Sequence, residues 1–249
     1  MVGGTAIRNF LAGVALAMFA TAPRADCRQA LALGLDVSGS VDSAEYRLQL
    51  DGLAGALSHP EVKEALLAMP AVPVNLLIYE WSGPDFQRLL LDWTAITNAT
   101  QLENITTRLR QTRRADADVT TALGAALRYG LAQLNQRPDC WKRTLDISGD
   151  GKSNTGPHPE TISRLALVDQ ITVNGLVIGA PPRFFGDTDT VQIGELSAYY
   201  HAYVLAGPDA FVETALGFED FEVAMVRKLK RELMGLSLSA LPQRPVQLR

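Results

Sequence analysis

Asp36-Val37-Ser38-Gly39-Ser40 places a carboxylate and two hydroxyls at alternate positions. A second carboxylate follows in Ser148-Gly149-Asp150-Gly151, and hydroxyls lie between them at Thr120-Thr121. Two carboxylates and three hydroxyls offer only hard oxygen donors. Such a set suits Mg²⁺ (or Mn²⁺), with water completing an octahedron. A D-x-S-x-S string alone arises by chance in about one chain of this size in fifteen. Its ordinary meaning is a serine cap and a turn, so the surrounding elements must decide.

Leu31 to Val37 is a short apolar run of the kind buried on both faces of a sheet, and Asp36 lies at its end. Asp42 and Glu45 have capping-box spacing, and Tyr46, Leu50, Leu53 and Leu57 form a helical stripe after them. His59-Pro60 ends that helix, and Val62, Ala65, Leu66 and Met69 suggest another short one. Residues 72–79 and 86–93 read as strands joined by the turn Ser82-Gly83-Pro84-Asp85, a connection short enough to make them antiparallel. Leu102, Ile105 and Leu109 mark a helix, with Arg110, Arg113 and Arg114 read as charges that suit its C-terminal dipole. Leu123, Leu127, Leu131 and Leu134 mark the next helix, which Thr120-Thr121 opens.

Residues 141–147 are a strand, 159–168 a helix, 171–178 a strand and 199–205 the last strand, before a helix marked by Phe221, Met225, Leu229 and Leu233. The alternation predicts an α/β fold: a doubly wound, mostly parallel six-stranded sheet with one antiparallel edge strand and helices on both faces. Ligands of such sheets gather at the carboxyl ends of strands. Asp36 and Asp150 both lie at such ends.

Other signals carry less. Gly151-Lys152-Ser153 lacks the upstream glycine of a phosphate loop, since position 146 is aspartate. His59, His158 and His201 have no ligand spacing, and neither Ser38 nor Ser40 sits in a nucleophile elbow. Asn98-Ala99-Thr100 and Asn104-Ile105-Thr106 have sequon form but fall in or near a helix. Glu80-Trp81 ends the second strand, on the same sheet edge as the oxygen donors. There Glu80 could serve as an outer acceptor and Trp81 as a contact surface, or Trp81 could pack under the loops while Glu80 is solvated.

The 249 residues are 47% hydrophobic and 20% charged, with net charge −4, which is an ordinary globular composition. Without basic runs, nucleic acid is a poor partner. Residues 1–25 carry Arg8, an apolar run from Phe10 to Ala20 and a small-residue zone, the layout of a secretory signal. The expected organisation is a signal peptide at 1–25, one domain at 26–235 and a C-terminal tail at 236–249. Export implies a periplasmic or secreted protein with no stable membrane insertion once the signal is cleaved. Cys27 lies nine residues before Asp36 and Cys140 ten before Asp150. If the two strands are in-register parallel neighbours, the thiols lie within bridging reach, and a Cys27–Cys140 disulfide is the expectation; two separate buried thiols are the alternative.

Asp36-x-Ser38-x-Ser40, Thr121 with Ala126-Leu127 after it, and Asp150-Gly151 resemble the metal-ion-dependent adhesion site of von Willebrand factor type A domains. The resemblance covers the mature chain in the order that fold requires. Leu35 to Asp42, Tyr79 to Gly83, Asp92-Trp93-Thr94 and Asp146 to Asn154 look more narrowly like an uncharacterised exported bacterial branch of that superfamily. The resemblance implies a metal held by Asp36, Ser38, Ser40, Thr121 and Asp150, with the strands at 31–37 and 141–147 side by side. Counting back from Ala126-Leu127 favours Thr121 over Thr120, and Asp116 and Asp118 read as solvated loop carboxylates. It also implies a protein partner whose exposed Asp or Glu completes the metal's coordination. Such capture needs no nucleophile. A metal-assisted hydrolase or phosphotransferase at the same cation, and a structural domain with a vestigial site, are the alternatives.

Overall fold

The computed structural model describes residues 27–179 and 188–239. The expected signal segment, and residues 240–249 of the tail expected at 236–249, lie outside the described residues, while α7 takes in residues 236–239. In chain order the elements are β1 (Cys27–Asp36), α1 (Ser43–Ser58), α2 (Pro60–Leu67), β2 (Val74–Trp81), β3 (Gln87–Ile96), α3 (Ala99–Gln111) and α4 (Leu123–Leu134). Then follow β4 (Cys140–Gly149), α5 (Pro159–Val168), β5 (Thr172–Ile178), α6 (Thr188–Tyr203), β6 (Val212–Ala215) and α7 (Phe221–Ser239). The sheet order is β3-β2-β1-β4-β5-β6, and only the edge pair β2–β3 is antiparallel.

β1 is buried along its whole length, and alternation divides its side chains between two cores. Leu31, Leu33 and Leu35 face the layer holding α1, α3 and α7, while Ala30 and Ala32 join the core under α4, α5 and α6. Small residues suit that second side because α4 comes close. A Cβ at Gly130 would lie 2.5 Å from Leu145, and Tyr79 donates its hydroxyl to the Ala126 carbonyl at 2.9 Å. The stripes expected on α1, α4 and α7 are all buried, and Asp42 with Glu45 forms the capping box. Asn98, in the first sequon-like string, caps α3.

Two expectations change. Residues 199–205 are not a strand: α6 runs to Tyr203, and the last strand is β6, paired with β5. Tyr199, Tyr200, Tyr203 and Val204 favour strand by type, but Leu196, Tyr200 and Val204 recur every four residues and are the buried ones. Arg113 and Arg114 also fall beyond α3, which ends at Gln111. The carbonyls of Leu109 and Thr112 accept instead from Arg47 on α1, at 3.0 and 2.9 Å.

Cys27 and Cys140 are register partners at the start of β1 and β4 and form a disulfide, with Cα atoms 4.7 Å apart. α7 is tied to the sheet by a buried ionic group. Lys228 pairs with Asp146 of β4 and, at 2.8 Å, with Glu232, which also accepts from Asn174 of β5 at 2.7 Å. Burial opposes the Lys228 charge, but the two carboxylates outweigh it and hold the ammonium above its usual value. Burial and the Glu232 charge keep the Asp146 carboxyl well above its usual range. Among the described residues, no helix is long and apolar enough to cross a membrane.

Candidate metal centre

The chain leaves β1 for β2 and β3 on one side, then returns to place β4 on β1's other side. Such a reversal is where open sheets bind ligands, and here Asp36 and Asp150 emerge at the carboxyl ends of β1 and β4. Asp36 and Ser38 are fully buried and Thr121 nearly so, while Ser40 is exposed. The hydroxyls form a chain. Thr121 Oγ1 lies 3.3 Å from Ser38 Oγ, Ser38 Oγ lies 3.3 Å from Ser40 Oγ, and Ser40 donates to Asp150 Oδ1 at 2.6 Å. Oxygens from three loops thus meet on one sheet edge, with Ser40 and Asp150 joined across 110 residues.

Asp36 Oδ1 accepts the Ser38 amide at 2.8 Å, while its buried Oδ2 accepts no hydrogen bond from the protein. Burial pushes the Asp36 carboxyl up to about 7; the Asp150 charge adds to the rise, and the Ser38 hydroxyl and amide pull it back. Burial likewise raises Asp150, against the Ser40 hydroxyl. Two carboxyls that resist ionising side by side would be relieved by a positive charge between them. Gly149 is required here. A Cβ on it would lie 2.6 Å from the Tyr200 hydroxyl and 3.0 Å from Asp36 Oδ2.

Of the two adjacent threonines, Thr121 faces the serines, whereas Thr120 turns away and donates both its amide and its hydroxyl to Asp118 Oδ1 at 2.8 Å. Asp116 and Asp118 are exposed. Glu80 and Trp81 are buried beneath the loops and offer no surface to a partner. Glu80 accepts from Tyr46 at 2.5 Å and pairs with Arg88 at 3.4 Å. The Trp81 carbonyl takes the Val37 amide at 2.9 Å, and that of Ser82 takes the Ala122 amide at 2.8 Å. The end of β2 therefore supports both neighbouring loops.

Residues to which the sequence assigned no part in the site hold its loops together. Gln49 Nε2 donates to the Asp36 carbonyl at 3.0 Å. Its signal was present: a polar residue one turn after Tyr46, on the buried face of α1. Asn154 exchanges two 2.9 Å bonds with Thr121, locking the loop after β4 to the one before α4. Arg114 donates to the carbonyls of Val41, of Val37 at 3.2 Å and of Ser38 at 3.4 Å. Nothing local in the sequence announces contacts across 73 to 77 residues.

Among the described residues, no three His, Cys, Asp or Glu side chains gather as a metal-binding group. The cluster consists of hydroxyls and two carboxylates. An all-oxygen set with a buried, unpaired carboxylate oxygen fits a hard divalent cation and suits softer metals poorly.

Residues 26–237 match a family described as protein of unknown function, DUF1194. The chain belongs to the DUF1194 family. No curated protein sequence matches it. Among solved structures, the DUF1194 chain is similar to proximal thread matrix protein 1 from the mussel byssus, with TM-score 0.56 and 16% identity over 86% of this chain and 49% of that one. Another structure of that protein is described as having a zinc-occupied MIDAS motif; it has TM-score 0.56 and 13% identity over 85% and 47% of the two chains. Pilus adhesin SpaC from Lactobacillus rhamnosus GG gives TM-score 0.61 and 16% identity over 84% and 31%. A von Willebrand factor type A protein from Catenulispora acidiphila gives TM-score 0.56 and 12% identity over 84% and 43%. The DUF1194 chain spans less than half the length of each of these chains. Its fold is that of a von Willebrand factor type A domain.

Proposed function

We propose that this DUF1194 domain holds Mg²⁺ or Mn²⁺ through Asp36, Ser38, Ser40, Thr121 and Asp150, and uses it to engage a protein partner. The reading rests above all on the convergence of these five side chains at the sheet's switch point, around a buried Asp36 oxygen that no protein group satisfies. Asp36 and Ser38 form the buried floor, and Ser40 and Asp150 lie toward solvent, so a ligand approaches from the sheet edge. When bound, the cation supplies an electrophilic position open to an Asp or Glu side chain of the partner. The protein's residues contribute grip and orientation, with Gln49, Asn154 and Arg114 holding the loops in shape.

The pilus adhesin and the zinc-occupied byssus protein share the fold; an adhesin and a divalent cation at a MIDAS motif on this fold support the reading at that coarser level, while the choice of Mg²⁺ or Mn²⁺ rests on the oxygen donors alone. The Cys27–Cys140 disulfide, with the signal-like segment before it, supports export to the periplasm or beyond. Thermal unfolding in EDTA, Mg²⁺ and Mn²⁺ tests the site. A ligand at a hundredfold excess over Kd adds about 2.7 kcal/mol. The expected rise in melting temperature is seen in wild type and lost in Asp36→Ala and Asp150→Ala. A rise that survives in both variants would place the metal elsewhere.

A further inference from the structure

Loop 37–41 leaves the buried end of β1 and turns at once into α1, so several of its carbonyls have no partner within their own element. Val41 donates its amide to the Ser38 carbonyl at 3.1 Å, and the Gly39 amide goes to the Val119 carbonyl at 3.0 Å. The carbonyls of Val37, Ser38 and Val41 all turn to the guanidinium of Arg114. Only arginine carries enough donors in a rigid fork to serve three acceptors at once. The fork is itself held. Its carbon lies 5.8 Å from the centre of the Tyr46 ring, whose hydroxyl is bonded to buried Glu80.

Arg114 belongs to the segment between α3 and α4, which also supplies the Val119 carbonyl and carries Thr121 near its end. One stretch of chain therefore clamps the first oxygen loop and delivers the hydroxyl of the second. The carbonyls of Val37 and Ser38 belong to the two peptide units on either side of Ser38, and that of Val41 follows Ser40 by one residue, so turning them would move both hydroxyls. We infer that Arg114 is a positioning residue for cation binding, acting by geometry through the loop backbone and not by its charge. The inference rests on the metal-binding reading above. Its charge alone would oppose a cation, so the two modes of action predict opposite signs for its removal.

The experiment compares wild type, Arg114→Lys and Arg114→Met in two measurements: Mn²⁺ affinity by electron paramagnetic resonance titration, and amide hydrogen exchange over residues 38–41 in EDTA. Lysine keeps the charge and loses the fork; methionine loses both. The expected result is a fall in Mn²⁺ affinity of about tenfold or more in both variants, the usual size for an outer partner of a metal ligand. Faster exchange confined to residues 38–41 should accompany it. Wild-type affinity in Arg114→Lys, or tighter binding in Arg114→Met, would overturn the positioning role. If wild type binds no Mn²⁺, the cation reading fails separately. The clamp is still judged then by exchange: acceleration at 38–41 supports it, and unchanged protection overturns it.

Discussion

Replacing Asp36 by asparagine should stabilise the metal-free protein at alkaline pH while abolishing its response to metal. The Asp36 carboxyl is fully buried and held at about 7, against 3.8 in the reference state, because burial and the Asp150 charge disfavour its ionised form. A folded pKa raised above the unfolded one means that stability is fully present below about pH 4 and is lost as the pH rises through about 7. At about 1.4 kcal/mol per pH unit, that gap costs the metal-free fold on the order of 4 kcal/mol at pH 8. Asparagine has the same shape, keeps an oxygen for the Ser38 amide and carries no charge. Its gain should approach that figure less the cost of burying an amide, leaving about 2–3 kcal/mol.

Urea unfolding in EDTA at pH 4 and pH 8 measures this directly. The variant should gain on wild type between the two, and millimolar Mg²⁺ should then stabilise only wild type. An Asp36→Asn protein no more stable than wild type at pH 8, or one with the same difference at both pH values, would refute the idea that the site stores an uncompensated carboxylate for a cation.

Four further outcomes follow from the same structure. Thr121→Val should weaken Mn²⁺ binding in a titration and leave the EDTA melting temperature within a few degrees, whereas Thr120→Val, which loses only a bond to Asp118, should bind as wild type does. Gly149→Ala should lose the metal-dependent rise in melting temperature, since its Cβ would crowd Tyr200 and Asp36. Reduction, or Cys27→Ser with Cys140→Ser, releases a loop of 113 residues and should lower stability to urea by up to about 5 kcal/mol in the chain-entropy limit. Lys228→Met strands Asp146 and Glu232 and should cost about 3–5 kcal/mol at pH 8. That loss should shrink toward pH 4, where the variant's two stranded carboxyls, no longer facing a cation, take up protons. In wild type burial opposes the Glu232 charge, but Lys228 outweighs it and holds that carboxyl below its usual value. An equal loss at the two pH values would contradict the buried pairing.

Much of this protein was legible in its sequence. Continuous apolar runs and four-residue stripes express the two periods by which strands and helices bury their sides, so β1, α1, α4 and the antiparallel β2–β3 pair could be read directly. D-x-S-x-S, Thr121 and Asp150 were visible because each sits at an element's end, where the chain itself aims the side chain. Misreading 199–205 as a strand shows the limit: three tyrosines favour a sheet by type, and only packing of Tyr200 under the switch point makes them helical. Counting back from Ala126-Leu127 pointed to Thr121 and the structure turns it toward the serines, but tertiary structure alone decided that Glu80 and Trp81 lie beneath the site. It also decided that Arg114, past the end of α3, holds a loop 73 residues away. Those choices depend on which backbone carbonyls lack partners once the sheet has closed, a property of the assembled fold that no local pattern of residues carries.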